Sequence, residues 1–241
     1  NHLEPNHHPV VGIIKDVMAG AVLIVSIGAA VIGIMLVAGL NPRDYRFRNE
    51  VHWSTNGVGL VFGHYARVHT RPFLDAAAAQ KLNDSGFTFE IVAEPHRDRL
   101  KSFGILASFH AGSDASQLIV GQWRNSIIVM NGDDYSYRRR TPRIFANLPD
   151  DAHGRVLITV TTGTNGSRLF FNRKQAVGRK EIHLHFPTES APARLTLGNS
   201  ARASEAWPGE MGGLALIPAP LSADQVRQHH DAWRTSGSLR F

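Results

Sequence analysis

Phe87-Thr88-Phe89-Glu90-Ile91-Val92-Ala93 is a short run of aromatic and β-branched residues, closed upstream by the turn formers Asn83-Asp84-Ser85-Gly86. Such a run between turn residues reads as a β-strand. Runs of the same kind recur along the chain: Gly59 to Phe62, Ile105 to Phe109, Gln117 to Gln122, Ser126 to Met130, Arg155 to Thr162, Ser167 to Phe171, Glu181 to Phe186 and Ala193 to Leu197. Between them lie Asn131-Gly132-Asp133-Asp134 and Thr164-Asn165-Gly166, which are turn words. Many closely spaced strands with few helical patterns predict an all-β fold, an antiparallel sandwich.

Two short helices punctuate the strands. Asp75 to Leu82 (DAAAAQKL) starts with an acid at the positive end of the helix. Ser222 caps a second helix over Ala223 to Trp233, on which Val226 and Trp233 share a stripe seven residues apart.

A different kind of segment precedes all of this. Val17 to Leu40 (VMAGAVLIVSIGAAVIGIMLVAGL) is 24 residues without a charge. As a helix it would reach about 36 Å, against about 30 Å for a bilayer's hydrocarbon core, so a tilted spanning helix is expected. A signal peptide has a shorter apolar run and a positive start, whereas only Lys15 is cationic before this one. Ser26 with Ala30, and Ala29 with Gly33, are small residues one turn apart that allow close approach of a neighbouring helix. The expected organisation is an N-terminal segment 1–16, a membrane helix 17–40, a linker 41–50, a sandwich domain 51–236 and a tail 237–241.

The chain is basic, with 26 Lys and Arg against 20 Asp and Glu. The excess is spread along the sequence, which suits anionic lipid or an acidic protein partner and does not argue nucleic acid. Without cysteine there is neither a disulfide nor a thiolate metal site. Arg43, Arg46 and Arg48 after the apolar stretch outnumber Lys15 before it, which by the positive-inside rule places the domain in the cytoplasm.

Two resemblances add to this. Leu195-Thr196-Leu197-Gly198-Asn199, then Trp207-Pro208-Gly209-Glu210-Met211-Gly212-Gly213-Leu214-Ala215-Leu216-Ile217, then Leu221-Ser222-Ala223-Asp224-Gln225-Val226 resembles the end of laminin-G-like, concanavalin A-like jelly rolls. The resemblance spans about residues 45–235 and implies a jelly-roll sandwich. It also implies a glycine-asparagine turn, a last core strand after the Trp-x-Gly word, and a closing helix. His8-Pro9, Ile14-Lys15-Asp16-Val17 and Ala19-Gly20-Ala21-Val22-Leu23 look like the start of the last membrane helix of the small bacterial diacylglycerol kinase and undecaprenol kinase family. That family's ATP and metal ligands come largely from earlier helices, so the resemblance implies an anchor rather than a kinase. It also implies a helix running outward, which sets a periplasmic domain against the cytoplasmic one of the charge count; the outward arrangement is favoured.

Jelly rolls host glycosidases, lectins and purely structural modules, so sites decide. No Glu-x-Asp-x-x-Glu word occurs, and Glu90 and Glu94 would stand about 13 Å apart on one strand, too far for retaining chemistry. Asn131, Asp133 and Asp134 offer oxygen ligands for calcium, although any tight turn selects the same residues. No other cofactor is expected. His183 and His185 alternate and would share a face, the beginning of a zinc site without a third ligand.

Tyr135, Tyr137, Arg138, Arg139 and Arg140, with Arg143 behind them, form the sharpest basic cluster; it reads first as a solvated loop that needs no partner, then as a surface for lipid headgroups or an acidic protein, and last as rings and guanidinia stacking on nucleic-acid bases. Of the tryptophans, Trp207 and Trp233 are expected in the core, and Trp123 at a strand end is the candidate for an exposed contact; Trp53 is the fourth. The expected function is non-catalytic: an accessory subunit docked on a larger membrane complex, or alternatively a carbohydrate-binding module, with a glycosidase third.

Overall fold

The computed structural model describes residues 50–55, 59–95, 102–111, 113–132, 141–151, 154–189 and 191–236, the side chains of 113–116 and 236 excepted. The expected membrane helix lies outside these residues, and none of the described helices is long and apolar enough to cross a membrane.

The strands run β1 (Val51–Trp53), β2 (Leu60–Phe62), β3 (Val68–His69), β4 (Phe87–Glu94), β5 (Gly104–Ala111), β6 (Ser113–Trp123), β7 (Ser126–Asn131), β8 (Arg143–Asn147), β9 (Val156–Gly163), β10 (Gly166–Phe171), β11 (Lys174–Arg179), β12 (Arg194–Leu197) and β13 (Gly209–Ile217). Helix α1 (Ala76–Ser85) lies between β3 and β4, and α2 (Ala223–Ser236) closes the chain. All pairings are antiparallel. One sheet has the order β1-β2-β13-β4-β9-β10-β11 and the other β3-β12-β5-β6-β7-β8. The chain crosses between sheets after β2, β3, β4, β8, β11 and β12, so each sheet is assembled from distant stretches.

Alternation explains the core. Phe87, Phe89, Ile91 and Ala93 of β4 point inward with Val156, Ile158 and Val160 of β9, and meet Phe109, Leu118, Val120, Ile127, Val129 and Leu195 from the other sheet. Phe186 sits between them, its ring 4.3 Å from Phe87 and 4.8 Å from Phe109, the second contact edge-on. Offset aromatic contacts of this kind favour tilted or edge-on geometry.

The closing words do what the resemblance implied. Gly198 adopts φ +75, and a Cβ there would fall inside the Phe62 ring. The Asn199 carboxamide oxygen then accepts the Ser200 and Glu205 amides, and Trp207 donates its backbone N–H to the Gly198 carbonyl. Trp207 is fully buried, with its indole N–H on Gln122 Oε1 at 2.8 Å. Ser222 and Gln225 cap α2 reciprocally, each side-chain oxygen accepting the other's amide. Asp75 caps α1 by accepting from the Ala78 amide at 2.7 Å.

Three expectations need correction. Glu181 to Phe186 is not a strand; side chains rather than a neighbouring strand bond its backbone. Trp233 is only half-buried, lying edge-on to His230 on α2. Edge strands β8 and β11 were not expected; β11 lacks a signal because an edge needs little apolar alternation, and Lys174–Arg179 is exposed at five of six positions.

Candidate functional site

The two outer faces of the sandwich differ. Over the seven-stranded sheet, α2 and the segment before it pack Leu221 and Val226 against Phe170. Thr88 on this face donates to the Ala219 carbonyl and accepts from the Leu221 amide. Glu90 is sealed beneath the helix, taking a hydrogen bond from Thr159 Oγ1 at 3.1 Å and meeting His229 Nδ1 at 3.2 Å.

The outer face of the six-stranded sheet has a different make-up. Since Val68, Leu195, Phe109, Leu118, Ile127 and Ile144 face the core, their alternates point outward. The register places His69, Thr196 and Ser108 in one row across β3, β12 and β5, with Arg194 opposite His110 in the next. Thr196 Oγ1 bonds His69 Nδ1 at 2.8 Å and His110 Nε2 at 3.0 Å. Burial, then the positive charges of Arg67, His110 and Arg194, pull the His69 pKa down to about 4. His69 is therefore neutral near pH 7, and one hydroxyl links two imidazoles without an ion pair.

Beside this polar end, Ser108 donates to Gln117 Oε1 at 2.9 Å, and Ile105, Ile119 and Met130 form a small apolar cluster with Phe103 and Ile128. The Phe103 ring sits where a side chain at Gly121 would be.

The far end is open. Trp123 pairs with Ser126, which pairs with Asn147; Gly121 pairs with Ile128, which pairs with Phe145. Trp123 is 46% exposed and Phe145 50% exposed. Both point off the same face, their Cα atoms about 12 Å apart given two strand spacings across and two residues along. The β6–β7 hairpin fixes the tryptophan: Arg124, first in the two-residue turn, takes φ 52, and Gln122 Nε2 donates to its carbonyl at 2.8 Å. Ser126 Oγ and Asn147 Oδ1, 2.6 Å apart, supply polar groups between the rings.

Of the residues singled out from sequence, Trp123 lies on this face, and so does Arg143, whose guanidinium donates to Thr141 Oγ1 at 2.7 Å. Asp133, Asp134, Tyr135, Tyr137, Arg138, Arg139 and Arg140 lie outside the described residues, as do Ser26, Ala29, Ala30 and Gly33. Asn131 is described, and its amide brackets the His185 backbone. Burial and then neighbouring His183 lower the His185 pKa; among the described residues no three His, Asp or Glu side chains gather as a metal site would require. Phe145, His69, His110 and Thr196 were missed. Only Phe145 carried a local signal, the alternation of Arg143-Ile144-Phe145-Ala146-Asn147.

Glu90, Glu94 and Glu210, among the described residues, are not arranged as a hydrolytic pair. Glu90 is covered, and Glu94 stands opposite Glu210 across β4 and β13. Burial would raise Glu210, but hydrogen bonds from Ser54 and Arg155, and the Arg155 charge, outweigh it and hold the carboxyl below its usual range. A glycosidase acid needs the opposite shift.

Comparison with known proteins bears on two parts of the chain. The family model for prokaryotic diacylglycerol kinase matches residues 1–37. No curated protein sequence matches the chain. Among solved structures, the binding domain of botulinum neurotoxin serotype D has a TM-score of 0.57 at 10% identity, covering 78% of this chain and 46% of that one. The receptor-binding domain of the C/D mosaic neurotoxin gives 0.57 at 9%, with the same coverages. The Ruminococcus gnavus IT-sialidase CBM40 bound to α2,3-sialyllactose gives 0.50 at 11%, covering 63% of this chain and 85% of that one. This chain thus spans less than half the length of the toxin chains it resembles. At such identities the likeness carries the fold, and the fold is a two-sheet antiparallel β-sandwich of the kind found in those domains.

Proposed function

We propose that the chain is a membrane-anchored, non-catalytic binding protein, its sandwich of the concanavalin A-like jelly-roll class and its ligand a carbohydrate held on the outer face of the six-stranded sheet. The observation that carries this reading is the exposure of Trp123 and Phe145 on one sheet face, about 12 Å apart, with polar side chains between them. Exposed rings on a rigid sheet stack on the apolar faces of sugars, and hydroxyl and amide groups beside them take the sugar hydroxyls. The sandwich neighbours, a toxin's receptor-binding domain and a CBM40 bound to sialyllactose, support the class. Val17 to Leu40, within or beside the diacylglycerol-kinase-like segment, supplies the anchor. Asn131 already spends its amide on His185, so no step in this reading passes through calcium.

The test is a glycan array probed with the full chain in detergent, with and without a calcium chelator, followed by titration of any hit with the Trp123→Ala and Phe145→Ala variants. Binding lost in both variants supports the reading. An array without hits returns weight to the second one, an accessory subunit of a larger membrane complex. That reading rests on the small residues Ala29 and Gly33 in a lone apolar stretch. Mild-detergent extraction with mass spectrometry of co-migrating chains tests it directly.

A further inference from the structure

Two exposed aromatic side chains take no part in the face just described: Trp53, 58% exposed on β1, and Tyr65, 71% exposed in the connection from β2 to β3. Both lie on the flank of the sandwich where the chain enters. β1 is the outermost strand of the seven-stranded sheet and β3 of the six-stranded one. The two edges belong to one flank, because Phe62 of β2 packs onto Gly198 just past β12, while β8 meets β10 and β11 on the opposite flank.

The entry point is clamped to this flank. Gly63 donates its amide to the Glu50 carbonyl at 2.9 Å, and His64 donates its amide to the Glu50 carboxylate at 2.8 Å. A side chain at Gly63 would collide with Glu50, so the clamp selects glycine there. Residues 41–49, nine in all, separate the clamp at Glu50 from the apolar stretch ending at Leu40. Fully extended they reach about 32 Å, less than the roughly 40 Å diameter of a folded domain this size. Whatever holds residues 17–40 therefore holds this flank near it, and at such effective concentration even a weak surface contact is populated. The flank has the chemistry of a membrane interface. It carries exposed Trp and Tyr and, just past β3, exposed Arg71; in the sequence Arg43, Arg46 and Arg48 lie between the apolar stretch and β1.

We infer that the β1–β3 flank is the membrane-facing surface of the sandwich, with Trp53 and Tyr65 at headgroup level and Arg71 against anionic lipid. The inference rests on the reading of Val17 to Leu40 as a spanning helix. It places β8, and with it Phe145, on the flank farthest from the bilayer, where a ligand has free access.

The chain has no cysteine, so single cysteines can be labelled without background. Full-length protein in nanodiscs containing anionic lipid would carry a fluorophore at Thr55→Cys, His64→Cys or, on the opposite flank, Ala176→Cys, all at exposed positions. A headgroup-nitroxide lipid is expected to quench the labels at 55 and 64 several-fold more than the label at 176. Adding Trp53→Ser and Tyr65→Ser should shrink that difference to what the tether alone imposes while the cooperative melt is retained, and an undiminished difference would remove the two rings from the lipid contact. Equal quenching at all three sites, or more at 176, in a chain that resists carbonate extraction overturns the flank assignment alone. Release of the chain by carbonate overturns the spanning reading beneath it.

Discussion

Asn131 Nδ2 donates to the His185 carbonyl at 2.7 Å while Asn131 Oδ1 accepts the His185 amide at 3.0 Å, so one carboxamide serves as the missing strand for one residue. Asn83, at the end of α1, does the same for Phe186, at 3.0 and 2.8 Å. Leu184 completes the set, its amide shared between the Thr162 and Ser167 hydroxyls. Three successive backbone units that a sheet would satisfy are satisfied by side chains instead, which fixes Phe186 between Phe87 and Phe109.

Asn83→Ala is expected to cost more than Asn131→Ala. The Phe186 side chain is buried and the Asn83 bonds to its backbone are partly so, whereas water can replace Asn131 at exposed His185. At about 0.5–1.5 kcal/mol per hydrogen bond, Asn131→Ala should cost about 1–2 kcal/mol, and Asn83→Ala more because buried groups lose their partners. Urea unfolding of both variants checks this, and equal losses would count against it.

Glu90 is expected to behave as a structural carboxylate. Glu90→Gln keeps an acceptor for Thr159 and should lie within about 1 kcal/mol of the parent, whereas Glu90→Ala strands the buried Thr159 hydroxyl beneath α2 and should cost about 1–3 kcal/mol. Thermal melts of the two variants give the comparison; an alanine variant as stable as the parent would remove the proposed role.

Acid should weaken the fold through His69. Its folded pKa of about 4 lies below the ordinary 6.5, so the neutral imidazole contributes stability that is complete above about pH 6.5 and drains away as pH falls toward 4. Glu210, held below its usual range, acts in the same direction at lower pH. The Tm should therefore fall between pH 7 and 4.5, and less steeply in His69→Gln. An unchanged slope in that variant would show that His69 is not a sensor of acid.

Loss of an exposed ring on the six-stranded face should weaken glycan binding without touching stability. Trp123→Ala and Phe145→Ala are each expected to reduce affinity about tenfold, taking about 1–1.5 kcal/mol for an aromatic contact. Isothermal titration supplies the affinities and a melt the control. Unchanged affinity in both would move the binding surface elsewhere.

Much of the fold was legible because strands and caps are local. The runs at Phe87, Ile105, Gln117, Ser126, Arg155, Ser167 and Ala193 all became strands, and Ser222 caps α2 with Gln225 three residues on. The alternation at Glu181 to Phe186 was real too, since Leu184 and Phe186 are buried and His183 and His185 exposed. What that alternation does not contain is a partner, and the side chains that bond this segment lie at positions 83, 131, 162 and 167. Trp123 was legible as an exposed ring because it ends a strand beside Arg124.

By itself the sequence determined the period-two alternation that makes each strand half-buried, the turn words that separate strands, the caps of both helices and the 24-residue apolar stretch. Each depends on neighbours a few residues apart. Only the tertiary structure decided which strands meet. It brought His69, His110 and Thr196 onto one hydroxyl across 127 residues of chain and laid Glu90 under a helix 139 residues away. It also left Trp53 and Tyr65 on one flank and Trp123 and Phe145 on an outer face. Alternation says that a side chain leaves the core, but what it meets there depends on sheet order and register, which contacts between distant segments set.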